Sequence, residues 1–301
     1  MSYCDASIVI LAHNGVRFTR YCLESLLASP TKPRELFLVD NASTDRTPEL
    51  IAGAEPRFLE TGVRFVTWRN SENKGCSLAR NEAWERATST YTVFLDNDVA
   101  VCTRDWLQRL VGKMHSRSDL AVLGPKMIYP FKPHPIQCAG VSLTPLGRVC
   151  FRGRGRARFH PRFCRPRRVP ALISACWIMR TRLCHEIGYL DELFHPVQYE
   201  DLDFCLRAVR AGWQVAYTPE VEMYHFEGIT TESFGGDSYR RNVARNSTRF
   251  RQRWHDLFPR VAEDLPPDDL RWLSREEMGL TPDLEVSFSD APASDETPES
   301  A

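Results

Sequence analysis

Tyr91-Thr92-Val93-Phe94-Leu95-Asp96-Asn97-Asp98 is an apolar, β-prone run that ends in two carboxylates one residue apart. Such a run reads as a buried strand of a parallel sheet. In open α/β sheets, ligands bind beyond the carboxyl ends of the strands, where Asp96 and Asp98 fall. Residues i and i+2 leave a strand on the same side, so the two acids can converge on one target. Hard oxygen donors suit Mg²⁺ or Mn²⁺, and a cation held there can bridge a diphosphate. An Asx turn closing the strand is an equally good reading of this stretch alone, so the surrounding chain has to decide.

On the N-terminal side the pattern is regular. Ser7–Ala12 reads as strand one, broken by His13-Asn14-Gly15. Val16–Leu27 has helical spacing, and Pro30 and Pro33 close it. Glu35–Val39 is strand two, running into Asp40-Asn41. Ser43 or Thr44 is placed to cap a helix carrying Leu50 and Ile51, with Pro48 in its first turn. Val63–Trp68 is strand three, Asn70–Gly75 a turn and Cys76–Ala87 a helix. Past the opening stretch, Thr103 is placed to cap a helix from Asp105 to about His115, and Leu120–Gly124 is strand five. Strand and helix thus alternate through the first ~125 residues, which predicts a doubly wound parallel sheet. Neither GxxxxGK[ST] nor a GxGxxG after strand one occurs, so ATP hydrolysis and NAD binding lose their usual signatures.

Residues 126–170 are rich in Pro, Arg and Gly, with a short hairpin indicated around Pro145-Leu146-Gly147. Residues 152–168 hold eight arginines and no acid. A solvated loop and a basic lip facing an acidic acceptor or a diphosphate head group are the two readings of that run. Ala171–Met179 is a buried apolar segment, and Thr181 caps a short helix ending at Gly188. Tyr199-Glu200-Asp201 opens a helix to Ala211, Gln214–Tyr217 is a strand, and His225 falls in the next loop. Ser238–Phe258 reads as a basic amphipathic helix. Residues 282–301 hold six acids and no base, and read as an acidic disordered tail.

Acids and bases balance at 39 each among 301 residues, so net charge gives no pointer to nucleic acid. The ten cysteines form no CxxC pair and read as reduced, mostly buried thiols of a cytoplasmic protein. No signal peptide and no run of bilayer length is apparent, which leaves docking on the inner face of a membrane open.

Polar clusters now stand at four predicted strand ends: His13-Asn14, Asp40-Asn41, Asn73 to Asn81, and Asp96-Asn97-Asp98. Several at one edge of a parallel sheet describe a site. Asp40 is placed for a base imide or ribose hydroxyl, or to cap the next helix. Asn73-Lys74-Gly75 offers a turn and helix N-terminus to phosphate, or is a plain turn. Glu200 and Asp201 suit a general base beside an acceptor hydroxyl, although the helix dipole alone would favour acids there. His225 is a candidate third cation ligand, since neutral imidazole suits Mn²⁺; a lone histidine is more often structural.

Taken in order, Ser7-Ile-Val-Ile-Leu-Ala-His-Asn14, Leu38-Val-Asp-Asn-Ala-Ser-Thr-Asp45, Asn73-Lys-Gly75 with Ala79-Arg-Asn81, and Phe94-Leu-Asp-Asn-Asp98 resemble glycosyltransferase family 2. So do Ser174-Ala-Cys-Trp-Ile-Met179, Gly188-Tyr-Leu-Asp-Glu-Leu-Phe194, Tyr199-Glu-Asp-Leu-Asp-Phe-Cys-Leu-Arg207, Gly212 and His225. The resemblance covers residues 7 to about 226. It implies the GT-A fold and inverting, metal-dependent transfer of a sugar from a UDP-, dTDP- or GDP-sugar to a saccharide, lipid-linked or protein acceptor. It implies donor contacts from His13, Asn14, Asp40, Asn73, Gly75, Arg80 and Asp96. Asp96, Asp98 and His225 would hold Mg²⁺ or Mn²⁺. Asp201 would be the general base, with Glu200 beside it contacting acceptor. Trp177 and Tyr199 are assigned to the acceptor side. His13 departs from the pattern, standing where many members have tyrosine. The implied organisation is a donor half (1–125) and an acceptor and catalytic half (126–237) of one domain. A helical extension (238–280) and the tail (281–301) follow. The competing functions are a catalytically silent sugar-nucleotide-binding or scaffold protein of the same fold, against which Asp98, Asp201 and His225 all argue, and a nucleotidyltransferase, which would favour a Gly/Lys-rich loop after strand one.

Overall fold

The computed structural model describes residues 2–228, 236–263 and 265–280. Strand β4 (Tyr91–Asp96) is buried along its length up to Asp96. It lies between β1 (Ser2–Ala12), which pairs with it in parallel, and β11 (Cys176–Arg180), which pairs antiparallel. With strands on both edges and side chains buried on both faces, the continuous apolar run of β4 is what the environment requires. The ten-stranded sheet has the order β10-β12-β6-β11-β4-β1-β2-β3, with β5 added to β12 and β7 to β6. The strands are β2 (Thr31–Asp40), β3 (Arg64–Arg69), β5 (Val99–Val101), β6 (Leu120–Ile128), β7 (Ile136–Cys138), β10 (Arg167–Arg168) and β12 (Gln214–His225). The pairs β1–β2, β2–β3, β1–β4 and β6–β12 are parallel.

The parallel sheet expected from the first 125 residues is therefore present but mixed, because β11 runs antiparallel between β4 and β6. Alternation in the first half could not reveal a strand inserted from the second. Three boundaries also differ from expectation. Pro33 does not precede β2 but lies inside it. It is tolerated because β3 joins β2 only from Glu35 onward, so the proline's missing donor faces no partner on that side. His225 is not in a loop but ends β12, which crosses Pro219 by a register shift between Tyr217 and Glu222. Val99–Val101, given no structure from sequence, is β5 and pairs with Met223–His225.

Helices α1 (Val16–Ala28), α2 (Thr47–Glu60), α3 (Cys76–Trp84) and α4 (Trp106–Ser116) connect the strands of the first half. The end of α1 is closed from the next strand. Buried Lys32 donates from Nζ to the carbonyls of Leu26, Leu27 and Ser29 at 3.0, 2.6 and 2.6 Å. A cation at a helix C-terminus answers both the unpaired carbonyls and the helix dipole. In the second half, β8 (Val141–Leu143) and β9 (Val149–Phe151) form the hairpin read around Pro145. Helices α5 (Leu183–Ile187), α6 (Glu200–Arg210), α7 (Gly236–Trp254), α8 (Phe258–Val261) and α9 (Pro267–Leu270) follow. One apolar core draws on both halves, with Val93, Leu123, Ile178, Val215 and Phe250 all at 3 % exposure or less. The acidic tail from residue 281 lies outside the described residues.

No disulfide joins the ten cysteines, and all but Cys76 and Cys164 are buried. Among the described residues no helix is long and apolar enough to cross a membrane. The arginine-rich run is neither a solvated loop nor a lip throughout. Arg152, Arg154 and Arg158 are buried, paired to Glu263, Glu227 and Glu222 respectively. Those acids lie far along the chain, which is why a window containing no acid could not show the pairing.

Candidate active site

A cavity of about 600 Å³ opens at the carboxyl ends of β1, β2 and β4. Asp96 ends β4, and Asp98 follows two residues later in the turn into β5. Because β5 pairs with β12 and sets His225 opposite Val99, the imidazole arrives beside Asp98. His225 Nε2 lies 3.3 Å from Asp98 Oδ1. Ligand atoms of Asp96, Asp98 and His225 all fall within 4.8 Å of one another. On the other side of the ring, Nδ1 stands 2.9 Å from Gln137 Oε1. With the Gln137 amide oxygen facing the ring, Nδ1 donates to it, and Nε2 is the nitrogen turned toward the carboxylates. Two carboxylates and one neutral imidazole are a donor set suited to Mn²⁺ or Mg²⁺, and a fixed tautomer is the usual mark of a ligating histidine. The residues therefore fit the cation that the sequence implies. Gln137 was not found from sequence, because it lies in the stretch where no periodicity could be read.

Arg80 connects this cluster to the second half. It sits on the buried face of α3 at 1 % exposure. One guanidinium nitrogen donates to Asp96 Oδ1, the other to Ser174 Oγ at 2.6 Å. Its ring-like plane lies 5.3 Å over Phe94. Ser174 in turn donates its backbone N–H to Asp201 Oδ2 at 3.1 Å, and Leu202 N–H donates to Oδ1 at 2.8 Å. Burial pushes the Asp201 carboxyl above its ordinary range, partly offset by these two N–H groups and by the Arg80 charge. Glu200 is 3 % exposed, and among the described residues its Oε2 has no hydrogen-bond partner. Burial, and then the neighbouring Asp201 charge, raise its pKa strongly. Two adjacent acids are thus pushed toward different protonation states, the usual basis for giving a pair separate roles.

The remaining sequence candidates divide. His13, Asn73, Gly75 and Arg80 line the cavity with Asp96, Asp98, Glu200, Asp201 and His225. Asn41 lines it too, donating to Asn73 Oδ1 at 2.8 Å and accepting from Asn70 Nδ2 at 2.9 Å and Lys74 N–H at 3.0 Å. Asp40 and Asn14 are not in the lining. Asp40 accepts from Ser43 N–H at 2.9 Å and lies 3.2 Å from Arg69 Nε. Asn14 Oδ1 accepts from Thr44 N–H at 2.7 Å, tying the first two strand ends together. Gly75 has φ +75°, and a Cβ there would meet His195 Nδ1 at 2.6 Å and the Pro196 carbonyl at 2.8 Å. Its glycine is explained by that close approach. The first N–H of α3, from Cys76, donates to Pro196 O at 2.7 Å, so this one donor is engaged within the protein.

Two acceptor-side assignments need correction. Trp177 is fully buried in the core, its ring 6.1 Å from Phe94 and 5.9 Å from Phe204. Tyr199 packs at 5.3 Å on Phe250 of α7 rather than lining the cavity. An apolar strand residue points inward whatever motif surrounds it. The cavity wall instead includes Phe151, Arg154, Trp272 and Arg275. Arg154 lies 3.9 Å over the indole of Trp272, which is 51 % exposed.

Comparison with known proteins fits this arrangement. A family profile described as Glycosyl transferase family 2 matches residues 7–188. The chain belongs to glycosyltransferase family 2. The O-antigen biosynthesis protein RfbC of Myxococcus xanthus is 28% identical over 239 residues, 74% of this chain and 17% of that protein. An uncharacterized protein, y4gI, of Sinorhizobium fredii is 28% identical over 265 residues, 83% of this chain and 28% of its own length. The chain therefore spans under a third of either relative. The N-acetylglucosaminyl-diphospho-decaprenol L-rhamnosyltransferase of Mycobacterium tuberculosis is closer in size. It is 26% identical over 231 residues, 69% of this chain and 72% of that one. Among solved structures, GalNAc-T7 with UDP, GalNAc and Mn²⁺ has a TM-score of 0.59 at 16% identity, covering 73% of this chain and 42% of that one. The mannosyltransferase PcManGT from Pyrobaculum calidifontis, with GDP-Man and Mn²⁺, has a TM-score of 0.57 at 16% identity, covering 87% and 66%. At these identities the likeness shows the fold, which is the GT-A fold implied by the sequence.

Proposed function

We propose that the chain is a metal-dependent inverting glycosyltransferase, moving a sugar from a nucleotide-diphosphate sugar to an acceptor hydroxyl. The observation that carries this is the convergence of Asp96, Asp98 and His225 in the same cavity as Asp201. A divalent cation bound by those three would supply positive charge to the leaving diphosphate. Asp201, made more basic by burial, takes the acceptor hydroxyl proton. The acceptor oxygen then bonds to the anomeric carbon as the bond from that carbon to the diphosphate oxygen breaks, and the diphosphate leaves with the electron pair. Arg80 holds Asp96 from behind and Ser174 N–H orients Asp201, so one side chain and one backbone group fix both poles. His13, Asn41 and Asn73 receive the nucleoside side of the donor. The wall of Phe151, Arg154 and Trp272 receives the acceptor.

The rhamnosyltransferase relative is named for a lipid-linked saccharide acceptor. We extend that class of acceptor to this chain and propose that it works in the cytoplasm at the inner membrane face; among the described residues no helix is long and apolar enough to span a bilayer. Thermal shifts with UDP-, dTDP- and GDP-sugars, each with and without Mn²⁺, test the reading. A ligand at ~100 times its Kd stabilises by about 2.7 kcal/mol. We expect one nucleotide class to stabilise the chain only with metal, and Asp98→Ala to abolish that response. Equal stabilisation of wild type and Asp98→Ala would sink the cation site. No response to any nucleotide sugar would favour the silent scaffold.

A further inference from the structure

Resting on that assignment of Asp201, we infer that Asn246 of α7 is a positioning residue for the loop that carries the base. Asn246 is fully buried on a helix that is otherwise largely polar and exposed. Its Nδ2 donates to the carbonyls of Phe194, Val197 and Gln198 at 2.6, 3.0 and 3.3 Å. Those carbonyls belong to the segment that runs directly into Glu200 and Asp201. Arg249 and Arg253 follow Asn246 at spacings of three and seven residues on the same side of α7, and they act alike with Arg245 beside it. Arg245 donates to His195 O, and Arg249 to Leu193 O at 2.6 Å. Arg253 reaches Asp191 Oδ2 at 2.6 Å and Asp203 Oδ1 at 2.9 Å, and Trp254 Nε1 reaches the same Asp203 oxygen at 3.0 Å.

The backbone held this way is one that needs holding. Gln198 and Tyr199 both have φ 78°, two consecutive non-glycine residues in the left-handed region. Such a conformation is strained and persists only where the surroundings over-determine it. On the opposite side Cys76 N–H donates to Pro196 O, Gly75 admits His195, and Ser77 Oγ donates to Asp191 O at 3.2 Å. The grip on Val197 and Gln198, the two residues that set the direction into Tyr199-Glu200-Asp201, comes from Asn246. This helix lies beyond residues 7–188, the part of the chain that matches the family profile.

Asn246→Asp keeps the size of the side chain and removes both donors, setting a carboxylate against three carbonyls. The assay is release of nucleoside diphosphate from the nucleotide sugar that gives the largest metal-dependent thermal shift, with water as acceptor. A misplacement of about 1 Å can cost of order 100-fold in rate. We expect kcat to fall about 10–100-fold while the KM for the nucleotide sugar stays within twofold. The Asn246→Asp/Asp201→Asn double variant should be no slower than Asp201→Asn alone, because a residue acting through Asp201 has nothing left to position. Losses that add in the double variant, or a KM that rises with kcat unchanged, would overturn the inference. If Asp201→Asn itself releases diphosphate at the wild-type rate, the assignment of the base is what fails. Should Asn246→Asp not fold, Arg245→Ala/Arg249→Ala takes its place; a smaller loss of kcat supports the role and an unchanged kcat refutes it.

Discussion

His225 reaches Asp98 because two strands pair, whereas Asp201 stands at the end of a loop that no strand holds. Both face one cavity, yet they are secured by different physics. The cation pole is a product of sheet register. Fixing His225 opposite Val99 fixes Nε2 near Asp98, and a slip of one residue would turn the imidazole to the other face. The base pole depends on carbonyls of residues 193–198 being gripped from a helix some fifty positions later. Rigid placement by a ladder is shared among many hydrogen bonds, so no single side chain carries it. Placement by a clamp is concentrated in a few donors, and there a single substitution is felt.

The largest expected effect bears on the base pole. Asp201→Asn keeps the shape and the two N–H groups that orient the side chain but removes the basic oxygen. General-base contributions are typically 10²–10⁴-fold, so transfer should fall by about that factor with metal-dependent nucleotide binding retained. Loss of nucleotide binding alongside activity would mean that the two poles are not independent, and would break the comparison.

That contrast also explains what could be read from the chain. Strand ends announce themselves: Leu38-Val-Asp40 and Phe94-Leu-Asp96 each pass from an apolar run to a carboxylate, and the sheet follows from where such runs recur. β4, β1 and β2 and their polar ends were legible for that reason. His225 was singled out, but its delivery by β5 was not, because Val99-Ala-Val101 is too short to show any period. Asn246 and Gln137 were invisible. A polar residue on a basic helix reads as solvated, and nothing in its neighbourhood reveals that three carbonyls converge on it. The pairing of Arg154 and Arg158 was hidden for the same reason, since Glu227 and Glu222 lie 73 and 64 positions away. Trp177 was misassigned because a motif was allowed to outweigh the plain rule that an apolar strand residue is buried.

A smaller effect sharpens the cation pole. Gln137 lines the cavity, and its Oε1 stands 2.9 Å from His225 Nδ1. Removal of such an outer partner typically costs 10–100-fold in metal affinity. Gln137→Leu should therefore raise the Mn²⁺ concentration needed for half-maximal nucleotide-dependent stabilisation by about that factor, with the apo protein folded. An unchanged Mn²⁺ requirement would show that the register of β5 on β12 alone sets the imidazole, which would make the sheet more self-sufficient than argued here.

The smallest effect concerns the cost of the base pole in the folded state. Burial raises the pKa of Glu200, with the Asp201 charge adding to it. Between the ordinary glutamate range and that raised value, the folded chain keeps a proton that the unfolded chain has lost. Stability follows the difference in bound protons, so the Glu200 contribution falls as pH rises through this window and is fully present below it. Glu200→Gln cannot titrate. Measured by urea titration, its unfolding free energy should gain on that of wild type as pH climbs from the ordinary glutamate range, by at most about 1.4 kcal/mol per pH unit. Parallel profiles would mean that Glu200 ionises in the fold as it does in water. The clamp on residues 193–198 would then hold an open loop rather than a buried pair, and the raised basicity assigned to Asp201 would lose its physical cause.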